Sequence, residues 1–443
     1  MKKHLLLFLS FVICGITKSQ TPCSSGRFLS DIFQFSQNTG VAFGQNATFT
    51  GSNYNLTMDI YEPSGDTAAV RPLIVWAHGG SFLGGTSADY DVTYLAKSFA
   101  KKGYVCASIN YRTGFFPIDS ANAVKAVIRA MQDMKASVRF FYKDRKTGTN
   151  LYRIDTNKIF IGGSSAGAIT SLHYAYLDST CEVNPYVSQS TLTALGGSEG
   201  NSGNPCYSSK IHGVINLCGA LASYSWFEAG DVPLCSMHGT TDGTVKYNRG
   251  VANPGTPLLY LDGSRMLYER ALAIGVQNDF YTFHGAGHVP YAGTSTTQQA
   301  YMDTTVNFIR DFLIKQLGCT DPGLQPANTP AQTAFLYPYS SCSTHVVQSF
   351  CNVGISDGGM LFNDIATIYP NPATETLFLD LKKSSVNYSI SLIDQFGREV
   401  VQRKDVSGKI EINKVGLSDG FYLIKITSES GEEMCSKIIL SSN

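Results

Sequence analysis

No sign of charge dominates this chain: 34 Lys and Arg offset 34 Asp and Glu among 443 residues, and no Lys/Arg-rich run occurs. Without a basic stripe there is no electrostatic footprint for a phosphate backbone, so nucleic acid is not an expected partner. Long apolar runs are missing too. The stretch at residues 5–16 is well short of the roughly 20 residues that a membrane-spanning helix needs. No cysteine or histidine cluster has the spacing of zinc ligands, so no structural zinc site is expected.

The short apolar stretch is informative in its setting. Lys2 and Lys3 precede it and the polar Thr17-Lys18-Ser19-Gln20 follows, which is the form of a secretory signal peptide over residues 1–20. Export follows, with no transmembrane helix in the mature protein. A lipid anchor on Cys14 is the alternative, disfavoured because Ile13 is bulkier than the small residue expected before such a cysteine. Eleven cysteines in an exported chain make disulfides expected, ten once Cys14 leaves with the signal. Nearness along the chain suggests Cys181 with Cys206 and Cys218 with Cys235, while Cys106, in a strand-like run, reads as a free core thiol.

Apolar strands predicted at 55–61, 73–77, 105–110, 158–161, 213–217, 234–238 and 279–283 alternate with helices, clearest at 92–102, 120–142 and 304–315. That alternation predicts an α/β fold with a mainly parallel sheet covered on both faces. Residues 178–209, rich in Ser, Gly, Asn and Thr, interrupt the rhythm as a lid or substrate-binding insertion, or as a surface loop stapled by Cys181 and Cys206. Aromatics in nearby loops, Phe82, Tyr111, Phe115, Phe116, Tyr224, Trp226 and Phe227, are candidates for an acyl pocket or for ordinary core.

Within this frame, residues 159–167 run from an apolar strand into Gly163-Ser164-Ser165-Ala166-Gly167 and then an Ala-rich helical start. A nucleophile on a tight strand-to-helix turn needs glycines where the backbones cross, so Ser165 is the candidate nucleophile. Downstream, a short strand ends in Gly239-Thr240-Thr241-Asp242-Gly243, and another ends in Gly285-Ala286-Gly287-His288. The order serine, acid, histidine makes Asp242 the candidate acid and His288 the candidate general base, since a serine hydroxyl becomes reactive when an imidazole accepts its proton. His284 competes for the base, and Asp231 and Asp262 for the acid; His238 reads as a turn-stabilising residue. Upstream, the strand at 72–77 runs into His78-Gly79-Gly80-Ser81. Backbone N–H groups of Gly80 and Ser81, with Ala166 after the nucleophile, are candidate oxyanion donors.

At these residues the chain resembles the α/β-hydrolase fold and, within it, carboxylesterases of the hormone-sensitive-lipase and feruloyl-esterase-like groups, over about residues 54–317. The likeness extends to Val105-Cys106-Ala107-Ser108-Ile109-Asn110-Tyr111-Arg112 and to the helix at 126–142 with its Gln132-Asp133 and Val138-Arg139-Phe140. Ser81 stands where the lipase-like group usually has a third glycine, so the oxyanion donors are the least fixed part of the pattern. The resemblance implies hydrolysis of carboxylic esters without a metal or organic cofactor.

Residues 319–361 dissolve into Pro, Gly, Ser, Thr and Cys, as expected of a linker after a catalytic domain at 21–318. Short strands with turn signals at 376–381, 388–393, 409–412, 420–426 and 437–440 then predict a small β-sandwich over 362–443. From Tyr369-Pro370-Asn371-Pro372 through Asp419-Gly420-Phe421-Tyr422 to Lys437-Ile438-Ile439-Leu440, this end resembles the type A C-terminal sorting domain of the type IX secretion system. That implies the type IX machinery as a partner and passage across both membranes of a Gram-negative cell, to release or surface display. A carbohydrate-binding sandwich is the alternative, opposed by few aromatics: Phe378, Tyr388, Phe421 and Tyr422 are about what a small core needs. The whole reads as a secreted serine esterase acting on feruloyl, acetyl or polyester-type esters. A serine exopeptidase and a binding protein on a hydrolase scaffold are the alternatives.

Overall fold

The structure is a computed structural model that describes residues 23, 25–147, 150–183, 185–319, 366–381, 386–394, 398–429 and 433–442. The expected signal peptide and all of the expected linker beyond Cys319 lie outside these residues. The described chain forms two units, treated separately below.

The first unit is built on an eight-stranded sheet. Its strands are β1 (Gln34–Ala47), β2 (Asn53–Ser64), β3 (Arg71–Ala77), β4 (Val105–Ile109), β5 (Ile154–Ser164), β6 (Val214–Leu217), β8 (Leu234–Gly239) and β11 (Asn278–Phe283), in spatial order β1-β2-β4-β3-β5-β6-β8-β11. β1, β2 and β4 pair antiparallel and every other neighbour is parallel. The mainly parallel sheet is thus as expected, but β1 was not foreseen. A small side sheet joins β7 (Ala220–Leu221), β9 (Arg249–Val251) and β10 (Tyr260–Gly263).

β3 explains why the sheet needs helices on both sides. All seven of its residues are buried. Leu73, Val75 and Ala77 enter one core with residues of α2 (Ser120–Thr147) and α3 (Ala166–Tyr176). Ile74 and Trp76 enter the opposite core with α1 (Tyr90–Lys101) and α7 (Thr296–Gln316). Alternation by one residue therefore divides a continuous apolar run between two cores. After β3 the chain passes to β4 on one side and then to β5 on the other, so a crevice opens beyond the carboxyl ends of β3 and β5.

Residues 178–209 form α4 (Thr180–Val183), α5 (Gln189–Ala194) and loops fastened to α2. Gln132 Nε2 donates to the Leu195 and Gly197 carbonyls at 2.9 and 2.7 Å, and Lys135 and Arg139 pair with Glu199 at 2.6 and 3.2 Å. Val187 and Leu192 are buried in the core. One further helix, α6 (Ser264–Ile274), follows β10.

A disulfide joins Cys23 to Cys319, with Cα atoms 5.9 Å apart. Cys218 and Cys235 are separate buried thiols, which corrects the expected pair. Cys235 lies opposite Ile215, whereas Cys218 follows Leu217, the partner of Met237. Three strand positions separate them, roughly 10 Å, beyond the reach of a disulfide. Cys106 is the buried free thiol expected. The side chain of Cys181, and with it the expected pair with Cys206, lies outside the described residues.

The second unit has two antiparallel sheets. One orders β12 (Ala366–Tyr369), β13 (Thr376–Leu381) and β16 (Lys409–Asn413); the other orders β15 (Glu399–Val406), β14 (Tyr388–Asp394), β17 (Gly420–Ser428) and β18 (Glu433–Leu440). Tyr422, Ile424 and Ile426 alternate inward along β17 and share a core with Leu377, Leu379 and Leu381. This is the expected β-sandwich. Of its aromatics, Tyr388 and Tyr422 are core, whereas Phe421 is half exposed and Phe378 stacks on Tyr369.

Candidate active site

The turn at Ser165 follows from what its neighbours lack. Ser165 sits between β5 and α3 with φ 54° and ψ −115°, a conformation costly for a residue with a Cβ. A Cβ on Gly167 would lie 2.0 Å from the Ala77 carbonyl oxygen, and one on Gly163 would lie 2.5 Å from it. The glycines thus let α3 cross the end of β3 closely enough to aim Ser165 into the crevice.

Ser165, His288 and Asp242 form one hydrogen-bonded chain. The Ser165 hydroxyl donates to His288 Nε2 at 2.8 Å, and His288 Nδ1–H donates to Asp242 Oδ2 at 2.6 Å. The carboxylate fixes the imidazole tautomer, leaving Nε2 free to accept. Asp242 has other holders. Its Oδ1 accepts from the Thr244 and Val245 N–H groups, both at 2.9 Å, and His238 Nε2 lies 3.1 Å from Oδ2. Burial works to raise the Asp242 pKa, but the hydrogen bonds and charges of His238 and His288 outweigh it and hold the carboxyl well below its usual range.

His238 is therefore more than the turn residue expected. Its Nε2 also faces the Val245 carbonyl at 3.0 Å; a carbonyl only accepts, so Nε2 carries a proton. The Ser264 hydroxyl lies 2.7 Å from Nδ1 and is held in turn by Asn216 Nδ2. The sequence signal was the four-residue spacing of His238 and Asp242 across the β8 turn. The competing acids are engaged elsewhere: Asp262 pairs with Arg249 at 2.9 Å, and Asp231 accepts from the Glu228 N–H. His284 is exposed at the end of β11, while His288 reaches the serine.

Of the expected oxyanion donors, Ser81 and Ala166 share a cavity wall with Ser165, and Gly80 directly precedes Ser81. Ala166 opens α3, where the first N–H groups of a helix lack intrahelical partners. Gly80 has φ 98°, and a Cβ there would meet the Gly84 carbonyl oxygen at 2.2 Å; Ser81 and Phe82 also have positive φ. This loop is braced by residues whose part was not foreseen. The Tyr111 hydroxyl donates to the His78 and Gly79 carbonyls at 2.9 and 3.2 Å, and its ring stacks on His78 with centroids 4.2 Å apart. Burial holds His78 below its ordinary pKa, and its Nδ1–H donates to the Gly79 carbonyl.

Ser81, Ser165 and Ala166 border a cavity of about 90 Å³ that opens partly to solvent. Ile169 and His173 extend its wall along one face of α3, and Met131, Trp226, Leu258 and Leu261 complete an almost wholly apolar lining. Of the aromatics expected at a pocket, Phe82, Phe115 and Trp226 line it; Tyr111, Tyr224 and Phe227 are buried elsewhere and Phe116 is largely exposed. Residues 178–209 contribute Val183 and Tyr186 to the wall. His173 donates from Nδ1 to the Ile169 carbonyl at 2.8 Å, and burial lowers its pKa to about 4, so it stays neutral in this wall at neutral pH.

The potential ligand atoms of Cys218, His238 and Asp242 lie within 4.8 Å of one another. Their chemistry does not suit a metal: the Nε2 of His238 is protonated against a carbonyl, and burial, with the Asp242 charge, pushes the Cys218 thiol up to about 12.

Sheet, turn and loop together define an α/β-hydrolase fold. Residues 58–252 match the BD-FAE family, and residues 367–441 match the secretion system C-terminal sorting domain, so the chain carries these two domains in that order. Gut esterase 1 of Caenorhabditis elegans is 29% identical over 28% of this chain and 21% of its own length. Carboxylesterase 3 of Pongo abelii is 30% identical over 32% of this chain and 24% of its own. The matched segment spans a quarter or less of these relatives. A propionate-bound structure of esterase 2 from Thermogutta terrifontis is 20% identical, covers 62% of this chain and 94% of that one, and has a TM-score of 0.44. The sorting domain indicates type IX secretion, and no described helix is long and apolar enough to cross a membrane.

Proposed function

We propose that the protein is a secreted or surface-displayed serine carboxylesterase. The observation that carries this reading is the hydrogen-bonded chain from Ser165 through His288 to Asp242 at the edge of an apolar cavity. In this reading residues 21–318 are the catalytic domain, 319–361 the linker and 362–443 the domain that engages the type IX machinery for passage across both membranes of a Gram-negative cell. Removal of a signal peptide over 1–20 precedes that step.

The Ser165 oxygen attacks the ester carbonyl while His288 Nε2 takes its proton. Asp242 stabilises the imidazolium that forms. The oxyanion is met by N–H groups of Ala166, Gly80 and Ser81. His288 then returns the proton to the leaving alcohol, and a water activated by the same nitrogen releases the acid. The cavity receives the acyl group. Its lining supports aliphatic chains or the ring of a feruloyl group ahead of a bare acetyl, and polymer-linked or polyester-type esters are included in this class.

The test is hydrolysis of p-nitrophenyl acetate, hexanoate and methyl ferulate by the full chain and by Ser165→Ala, together with labelling by a fluorophosphonate probe. Turnover and labelling that both vanish in the variant support the reading. Labelling without ester turnover would favour a peptidase, and a folded protein that does neither would be a binding scaffold.

A further inference from the structure

A second pocket adjoins the first. Phe115 belongs to the walls of both. It has a volume of about 320 Å³, is partly open to solvent and, unlike the apolar cavity, is lined by Arg112, Asn122, Lys125 and Arg129 with the rings of Phe49 and Phe116. The charges there are unbalanced. Arg112 is neutralised by the buried Asp133 at 2.8 Å. Arg129 has no such partner: among the described residues its one hydrogen bond runs from Nη2 to the Gly114 carbonyl at 3.0 Å, and its Nε is buried and unpaired. Lys125 Nζ makes only a 3.3 Å contact with the Asn122 side chain. The two cations lie one turn apart on α2, where like charges disfavour the helix unless an anion sits between them.

A buried guanidinium without a carboxylate is costly, and its planar fork suits a carboxylate. Beside it stand aromatic surfaces open to solvent: Phe116 is 77% exposed and Phe49 43%. Such faces take the apolar side of a ring. From Lys125 and Arg129 beside Phe49 and Phe116, we infer that this pocket binds a carboxylate borne on a ring, such as a sugar acid or an aromatic acid. Burial and the neighbouring Arg112 hold the Arg129 pKa down to about 10 against the opposing charge of Asp133, which Arg112 already engages, a strain a further anion would relieve. The inference does not depend on the hydrolytic reading, because binding here needs no turnover.

The experiment is calorimetric titration of the full chain at pH 7 and low salt with galacturonate, galactose, benzoate and acetate. Galacturonate, benzoate or both should bind about tenfold more tightly than the neutral sugar and the ringless acid, with affinity falling as salt rises. Whichever of the two binds identifies the ring as sugar or aromatic. Lys125→Gln and Arg129→Gln should each weaken that binding about fivefold or more. Galactose binding as tightly as galacturonate while benzoate fails, or no binding by either ring acid, would overturn the inference. Undiminished binding in Lys125→Gln would overturn it as well, and would do so even if Arg129→Gln failed to fold.

Discussion

The Asp242 carboxylate has two sides, and they differ in everything but the residue that meets them. On one, His288 is partly open to the crevice and its far nitrogen reaches Ser165; on the other, His238 is fully enclosed and its far nitrogen ends at Ser264 and Asn216. Both imidazoles address the same oxygen, Oδ2. The difference teaches that position, rather than residue type, separates a group suited to moving protons from one that holds the carboxylate still. A proton can leave the first toward substrate, whereas the second has nowhere to send one.

The strongest way to break this comparison is on the open side. In His288→Ala, kcat for p-nitrophenyl esters should fall by about a millionfold, while the unfolding temperature falls less than in Asp242→Asn, because His238 still holds the carboxylate. Equal loss of stability would mean that His288 is structural. Asp242→Asn touches both sides at once. It should lower kcat by about ten-thousandfold through loss of the correct tautomer, and thermal unfolding should show lost stability as well. On the enclosed side, His238→Leu should lower kcat by about ten- to a hundredfold, because a buried hydrogen bond to a charged group contributes about 1.5–3 kcal/mol. Restoration by His238→Gln would assign that loss to the donated hydrogen bond.

The pH dependence sharpens the same contrast. Because the folded Asp242 pKa lies below its unfolded value, its contribution is full above the unfolded value near 4 and disappears as pH falls through the folded one. Removing the His238 bond should raise the folded pKa and so move this loss upward in pH, measurable as acid unfolding that begins earlier in His238→Leu. The smallest effect is expected from Ser264→Ala, where kcat should stay within about threefold, since only the orientation of His238 is loosened.

What could be read from the sequence was local. The turn at Gly163, Ser165 and Gly167 announces itself because the steric need and the residues that meet it lie within five positions. β3 was legible because burial on both faces demands an unbroken apolar run. β1 was not, since its polar residues become a strand only by pairing with β2. Tyr111 looked like pocket lining until the fold set its hydroxyl against the His78 carbonyl, 33 positions away. The segment at 178–209 read as a lid or loop, but its anchors, Gln132, Lys135 and Arg139, sit on a helix that precedes Ser165. Contacts made by folding, rather than by neighbourhood, were the ones hidden.

The bond between Cys23 and Cys319 spans 296 positions and so closes nearly the whole first unit into a covalent ring. Its mechanical consequence concerns traction. A pull on the chain beyond Cys319 is shared across the sulfurs with Cys23, the other end of the closed segment, instead of peeling α7 away turn by turn. Tension applied to the tail therefore loads both ends of the closed segment at once, and the body is drawn along whole.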